Sequence, residues 1–127
     1  MKMNKKIAVY MDHFAANILE YTDAAKIVKI IKSGFNKDQK EKILQSGESL
    51  LYHKEQNLQK EFYAKLRAEL LNYESVLLFG ATNAKTELLN ILQIDAKFLN
   101  VEFTLKNTDK LTDKEQVNFV NDCFYIS

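Results

Sequence analysis

Two acidic residues in this 127-residue sequence could contribute to catalysis. Asp12 follows the apolar run 7–11, and Glu55 lies near the start of a long helical pattern. A hydrolytic site that uses a divalent cation needs several carboxylates at neighbouring strand ends. The apolar run 76–79, however, is followed by Gly-Ala-Thr, without an acidic residue. Asp12 and Glu55 therefore form an incomplete catalytic set, and the alternative for Asp12 is a turn residue that accepts backbone N–H bonds.

Histidine and cysteine, which bind zinc and can act as nucleophiles, are few in this sequence. His13 and His53 are the only histidines and Cys123 is the only cysteine, and their spacing is unlike that of a zinc site. Cys123 lies on the apolar stripe of the last predicted helix, which favours a buried structural thiol over a reactive one. We therefore expect no metal site and no cofactor.

A turn between a predicted strand and a predicted helix is the candidate anion-binding site. Gly80 ends the strand, Thr82 or Asn83 can cap the helix, and Lys85 lies in the first helical turn. Backbone N–H groups at the start of a helix can hold an anion, and a lysine in the first turn could help. The alternative is an ordinary turn, because a single glycine before a helix is a weak signal.

Residues 36–50 and the start of the helix after them contain the candidate contacts for RNA or the ribosome. Lysine attracts phosphate groups, and tyrosine can stack on bases. Acidic residues in the same stretch largely cancel its positive charge, so a solvated connection is the alternative. The candidate residues are Lys37, Lys40, Lys42, Tyr52 and Lys54.

The composition is that of one soluble globular domain. The chain is 46% apolar and 28% charged, and its formal net charge is +1. The overall charge therefore gives no reason to expect binding to nucleic acid or to an anionic membrane, although a local basic patch is compatible with it. A single cysteine suits a reducing compartment, and no apolar run is long enough for a membrane span. We expect a cytoplasmic protein with no membrane contact.

The pattern over residues 75–93 predicts a strand, a turn and a helix. Residues 76–79 are wholly apolar, which suits a strand that is covered on both faces. Gly80 ends this run, and the apolar residues after it recur at helical spacing. The residues of this stripe are Ala84, Leu88, Ile91 and Leu92.

Residues 23–35 fit two structures. Lysines at positions 26, 29 and 32, with Asp23 as a cap and Gly34 as a stop, are compatible with an amphipathic helix. Four β-branched residues between them favour a strand instead. Because this stretch follows a predicted hairpin, a third antiparallel strand would complete a meander, and we predict the strand.

The remaining patterns complete the order of elements. Residues 7–11 and 15–21 are typical of a hairpin, residues 51–73 predict the longest helix, and residues 101–106 alternate as a strand does. A capping box at Thr112 predicts the last helix. The order βββαβαβα gives one α/β domain over residues 1–127, with a mixed five-stranded sheet and helices on both faces, which is the ribonuclease H-like arrangement. The apolar residues expected to face inward from the last strand are Val101, Phe103 and Leu105.

Several short motifs resemble a known group of proteins. Residues 76–89 resemble the strand, glycine turn, lysine and apolar helix in the central domain of archaeal and eukaryotic peptide-chain release factors and of Pelota. They also resemble the related small bacterial translational machinery or host attachment proteins. Residues 8–13, 53–63 and 108–112 are similar to those bacterial proteins as well.

The resemblance implies a protein that associates with the ribosome or RNA. Release factors carry a Gly-Gly-Gln loop before their long helix, whereas residues 46–48 here are Ser-Gly-Glu, and Ala81 replaces the family's usual proline. We therefore expect a non-enzymatic protein related to translation factors, without peptide release by that motif. The alternatives are a metal-dependent ribonuclease H-like nuclease, and an interaction module that forms a homodimer through the edge strand at residues 23–35.

Overall fold

The computed structural model describes residues 5–34 and 48–125, and in the first helix it describes the side chains from residue 57 onward. The described strands are β1 (Lys6–Met11), β2 (Ala15–Tyr21), β3 (Ala25–Lys32), β4 (Ser75–Gly80) and β5 (Glu102–Asn107). The described helices are α1 (Glu48–Leu70), α2 (Ala84–Gln93), a short 3₁₀ helix (Ala96–Phe98) and α3 (Asp113–Tyr125). This is the predicted order of elements.

The strands form one five-stranded mixed sheet in the order β3-β2-β1-β4-β5. β1, β2 and β3 pair antiparallel, whereas β1, β4 and β5 pair parallel. The predicted α/β class and the predicted mixed sheet are therefore confirmed. Because β1 and β4 are adjacent and parallel, their carboxyl ends lie side by side, and the loops after them can meet.

The ambiguous stretch at residues 23–35 contains strand β3. Its residues pair with β2 from Tyr21 opposite Ala25 to Ala15 opposite Lys32. The register shifts next to Ile18, so that Val28 is an extra residue in β3. The β-branched side chains therefore outweigh the helical spacing of the lysines, because β2 offers an edge to pair with.

Each face of the sheet carries its own apolar core. The first core packs α1 and α2 against the sheet and includes Phe62, Leu66 and Leu88. The second packs α3 against the other face and includes Val120 and Phe124. Helices on both faces are thus confirmed, and the alternating side chains of β1 and β4 contribute to both cores.

The structure differs from the prediction at two places. Helix α1 begins at Glu48 and ends at Leu70, so its first residues belong to the stretch that the sequence indicated as a polar connection. On β5, Leu105 is 36% exposed although an inward position was expected. The physical reason is that β5 is an edge strand, which has a neighbour on one side only. In the described part of the chain, no helix has the length and apolarity to cross a bilayer.

Candidate functional site

The ends of strands β1 and β4 lie in tight backbone contact. Gly80 closes β4 with a φ of +150°, a conformation that side-chain-bearing residues rarely adopt. A Cβ atom at this position would collide with the carbonyl oxygen of Met11. The Gly80 carbonyl also accepts a hydrogen bond of 3.0 Å from the N–H of Thr108, which holds the loop after β5 against this end of the sheet.

Asp12 directly follows β1 and acts as a turn residue. Its Oδ1 accepts hydrogen bonds from the N–H groups of Phe14, at 2.7 Å, and Ala15, at 2.9 Å. Its own N–H donates to the Ala15 carbonyl at 3.1 Å. The turn alternative for Asp12 is thus confirmed, and a catalytic role for Asp12 stays a prediction. In the described residues, no group of three or more histidine, cysteine or acidic side chains could hold a metal ion.

A hydrogen-bonded cluster ties the β1–β2 turn to both helices of the first core. The Glu87 carboxylate on α2 accepts from the Tyr63 hydroxyl of α1 at 2.7 Å, and its other oxygen lies 3.2 Å from Nε2 of His13. Burial acts against ionisation of Glu87, but its hydrogen bonds to Tyr63 and His13 together outweigh burial and lower its pKa. Burial, together with the adjacent carboxylate, raises the pKa of Tyr63. The Tyr63 side chain is buried in the first core.

Gln59 on α1 completes this cluster. Its Nε2 donates a 2.8 Å hydrogen bond to the backbone carbonyl of His13. Its Oε1 is buried and has no hydrogen-bond partner among the described residues. The β1–β2 turn is therefore held by its own Asp12 side chain, by Gln59 and by the bond between His13 and Glu87.

The four predicted anion-binding residues lie close together but have different surroundings. Asn83 caps α2 without a side-chain hydrogen bond and is exposed, whereas the Thr82 hydroxyl accepts from the N–H of Ala84 at 3.3 Å. Lys85 is buried, its Nζ donates to the Thr82 carbonyl, and burial lowers its pKa. Anion binding by Gly80, Thr82, Asn83 and Lys85 stays a prediction, and Thr82 is the member of the set that lines a cavity.

That cavity has a volume of about 410 Å³ and lies at the carboxyl ends of β1 and β4. It is lined by the end of β1 and the residue after it, by the β4–α2 loop and by the β5–α3 loop. The lining residues are Tyr10, Met11, Asp12, Ala81, Thr82, Lys110, Leu111 and Thr112. Sequence reasoning missed Tyr10, Lys110 and Thr112 as site residues. The signal that could have found them is that three parallel strands end at one edge of the sheet, which brings their loops together.

None of the side chains predicted to contact RNA is described by the structure. Lys37, Lys40 and Lys42 lie outside the described residues, and the side chains of Tyr52, Lys54 and Glu55 lie in the part of α1 that the structure does not describe.

The exposed edge strand β3 leads into the segment with these lysines. It carries Lys26, Lys29 and Lys32, all exposed, and Lys29 forms an ion pair with Glu69 of α1. Val28 and Ile30 on the same strand are 43% and 58% exposed. A homodimer through this edge stays a prediction.

No protein-family model and no curated protein matches the sequence. The crystal structure of Archaeoglobus fulgidus Pelota matches with a TM-score of 0.61 at 8% identity, over 93% of this chain and 31% of that one. Thermoplasma acidophilum Pelota matches with a TM-score of 0.60 at 17% identity, over 92% of this chain and 32% of that one. The archaeal translation termination factor aRF1 matches with a TM-score of 0.57 at 16% identity, over 94% of this chain and 34% of that one.

These similarities concern fold. The chain spans about a third of the length of each of the three proteins. TM-scores of 0.57 to 0.61 support a shared architecture, whereas sequence identities of 8% to 17% leave activity open. The predicted resemblance is confirmed at this level: over nearly its whole length, the chain has the fold of a domain found in Pelota and in the archaeal release factor aRF1.

Proposed function

We propose that the protein is a ribosome- or RNA-associated binding protein of the cytoplasm, related to translation factors and without catalytic activity of its own. The observation that carries this proposal is the fold match, which covers 92% to 94% of the chain and includes a translation termination factor. The Ser-Gly-Glu sequence at residues 46–48 differs from the Gly-Gly-Gln of release factors, so peptide release by that motif is not part of the proposal.

The strand ends support binding over metal-dependent hydrolysis. One oxygen of Asp12 is committed to two backbone N–H groups of the β1–β2 turn. The adjacent parallel strand β4 is followed by Ala81 and Thr82, which supply no carboxylate. Because a two-metal nuclease site needs carboxylates from neighbouring strands, the geometry favours the binding role.

The surface that we assign to this role is the segment after β3 together with the edge of β3. Lys37, Lys40 and Lys42 follow the strand in sequence, and Lys26 and Lys32 on the strand are exposed and form no ion pair with another described residue. The formal net charge is only +1, so attraction to phosphates depends on where the lysines are placed and not on their number.

Co-sedimentation with purified ribosomes tests the proposal. We expect the full chain to sediment with ribosomal particles. The triple variant Lys37→Glu, Lys40→Glu, Lys42→Glu should bind at least about tenfold more weakly, because each lost phosphate contact removes favourable counterion release. The salt dependence of its binding should be smaller for the same reason. The matched control is Lys97→Glu, Lys106→Glu, Lys114→Glu. It changes the net charge equally, at exposed positions on other elements.

The outcomes separate the hypotheses. Equal weakening by both triple variants would indicate charge-driven sticking without a defined surface. Absence of the wild-type protein from ribosomal fractions, with no RNA bound in a pull-down, would contradict the proposal. Incubation of RNA with Mg²⁺ or Mn²⁺ tests the nuclease alternative, and cleavage that disappears in Asp12→Asn would establish it.

A further inference from the structure

The cavity at the strand ends is built from three parts of the chain that are distant in sequence. β1 and the residue after it contribute Tyr10 and Asp12, the β4–α2 loop contributes Thr82, and the β5–α3 loop contributes Lys110 and Thr112. Its volume of about 410 Å³ falls within the range of roughly 300–1,000 Å³ that is typical of small-molecule sites. In sheets with parallel strands, ligands bind preferentially at this end.

Three of the lining residues carry hydroxyl groups that share one property. The Tyr10 hydroxyl accepts from the N–H of Leu111 at 2.8 Å, and the Thr112 hydroxyl accepts from the N–H of Glu115 at 3.2 Å. The Thr82 hydroxyl likewise accepts from a backbone N–H, at 3.3 Å. A hydroxyl that already accepts a bond has its O–H proton left to donate, and the described residues supply no acceptor for these three protons.

The charges on the wall fit the same pattern. Lys110 adds a cation, is exposed and forms no ion pair with another described residue. Asp12 also lines the cavity, and Lys110 and Asp12 are not paired with each other. Three hydroxyl donors and an ammonium suit an anion that is rich in acceptor oxygens, whereas the free oxygen of Asp12 suits a hydroxyl donor.

The wall is also well packed at Tyr10 and partly apolar. The Tyr10 ring packs on Phe79 with ring centroids 5.2 Å apart, and the Tyr10 hydroxyl is held by the hydrogen bond from the Leu111 N–H. Met11, Ala81 and Leu111 supply apolar lining. A ligand that fills such a space therefore has an apolar or aromatic body in addition to its anionic and hydroxyl groups.

We propose that this cavity binds one nucleoside monophosphate unit. The phosphate accepts from Lys110 and the threonine hydroxyls, a ribose hydroxyl donates to Asp12, and the base lies against the apolar lining. A small free amino acid such as glycine would also satisfy one positive and one negative side chain, but it is too small to fill the cavity. The unit can be a free mononucleotide or the phosphorylated end of an RNA, because both present the same groups. The inference goes beyond the proposed function and does not depend on ribosome association.

Nuclear magnetic resonance titration of the full chain tests this site. We expect adenosine 5′-monophosphate to shift the backbone amides of residues 10–12, 81–84 and 108–112, and we expect adenosine and inorganic phosphate, each alone, to bind at least about tenfold more weakly. Lys110→Gln and Thr82→Val should each lower the affinity about five- to tenfold. Lys97→Gln removes an exposed lysine of the 3₁₀ helix, away from the cavity lining, and should leave the affinity unchanged.

Two RNA tetranucleotides distinguish the sources of the ligand. Tighter binding of the 5′-phosphorylated than of the 5′-hydroxyl form would support an RNA end, and binding of the mononucleotide without either RNA would support a free nucleotide. The proposal is overturned if the mononucleotide leaves the amides of residues 108–112 unshifted at millimolar concentration. Equal binding of adenosine, or tighter binding of glycine, would overturn it as well. Because no ribosome is present, failure here leaves the co-sedimentation result to be judged independently.

Discussion

Of the two glycines that the structure describes, Gly80 tolerates a side chain less well. Its φ of +150° disfavours any side chain, and a Cβ would meet the carbonyl of Met11, a backbone atom that cannot rotate away. We predict that Gly80→Ala lowers the free energy of unfolding by about 2–4 kcal/mol, because positive-φ strain and a backbone collision act together. Urea denaturation followed by circular dichroism measures this loss.

Gly34 offers a matched control for that substitution. Its φ is +80°, but among the described residues a Cβ there would contact the Leu58 side chain alone, at an ordinary 3.5 Å. Gly34→Ala should therefore cost about 1 kcal/mol, from conformational strain alone. Equal losses for the two variants would show that the close approach of β1 and β4 contributes nothing beyond φ.

Glu87 gives the stability of the protein a dependence on pH. Burial opposes ionisation, but the hydrogen bonds from Tyr63 and His13 outweigh burial, so the folded-state pKa of Glu87 lies below its ordinary value of 4.5. A carboxyl group with a lowered folded-state pKa contributes stability that is fully present above pH 4.5 and is lost as the pH falls through the folded-state value. Because the side chain is 50% exposed, solvent screening keeps this contribution below about 1 kcal/mol.

The variant Glu87→Gln isolates this contribution. We predict that it is less stable than the wild type at pH 7 and that the difference shrinks as the pH falls from 4.5 toward 3. Thermal unfolding across this pH range measures the difference. The control Glu102→Gln alters an exposed carboxylate on the edge strand β5. A constant difference between wild type and Glu87→Gln at every pH would contradict the prediction.

At the scale of elements, the start of α3 depends on a reciprocal pair of hydrogen bonds. The Thr112 N–H donates to the Glu115 carboxylate at 2.9 Å, and the Glu115 N–H donates to the Thr112 hydroxyl at 3.2 Å. The pKa of Glu115 is lowered mainly by the backbone N–H of Thr112. This is the capping box that the sequence predicted, and it satisfies two N–H groups that the helix itself leaves unpaired.

Removal of the Thr112 hydroxyl should destabilise this helix end. We predict that Thr112→Ala lowers the free energy of unfolding by about 1 kcal/mol, whereas Thr112→Ser, which keeps the hydroxyl, changes it by only a few tenths. Chemical denaturation of both variants provides the comparison. If alanine and serine are equally destabilising, the loss comes from the methyl group and not from the cap.

The sequence predicted elements well where local preference and tertiary context agree. The apolar run that forms β4, its glycine stop and the helix after it needed no knowledge of the rest of the chain. β3 could be predicted because β-branching favours a pleated strand next to a hairpin. The exposure of Leu105 could not be predicted, because it depends on β5 having no outer neighbour. The order of strands in the sheet does not follow from the alternation of apolar residues.

The cavity belongs to the scale of the whole molecule, and this explains why it was only partly predictable. Thr82 could be found from the strand–turn–helix pattern. Lys110 and Tyr10, by contrast, become neighbours of the site only because the Thr108 N–H bonds to the Gly80 carbonyl and the Leu111 N–H bonds to the Tyr10 hydroxyl. Contacts of this kind join loops that are far apart in sequence, and no local pattern encodes them.

The whole molecule also determines how the two cores share stability. Leu66 of α1 is buried in the core on one face, and Leu77 of β4 is buried in the core on the other. Since β4 contributes side chains to both cores, loss of packing on one face should weaken the strand on which the other face depends. We predict that Leu66→Ala and Leu77→Ala each cost about 2–5 kcal/mol and that each variant still unfolds in a single transition.

The coupling between the two cores is checked by comparing the unfolding transitions that two independent probes report. Tyrosine fluorescence reports side-chain packing and far-ultraviolet circular dichroism reports secondary structure, so one shared midpoint in urea indicates that both cores are lost together. Two separated transitions in Leu77→Ala, with the helices of the first core surviving the first of them, would show that the faces fold independently. In that case the strand ends and the cavity between them would lose their arrangement while α1 and α2 remain folded. Ligand binding at the cavity would then be lost at a lower urea concentration than the helices are.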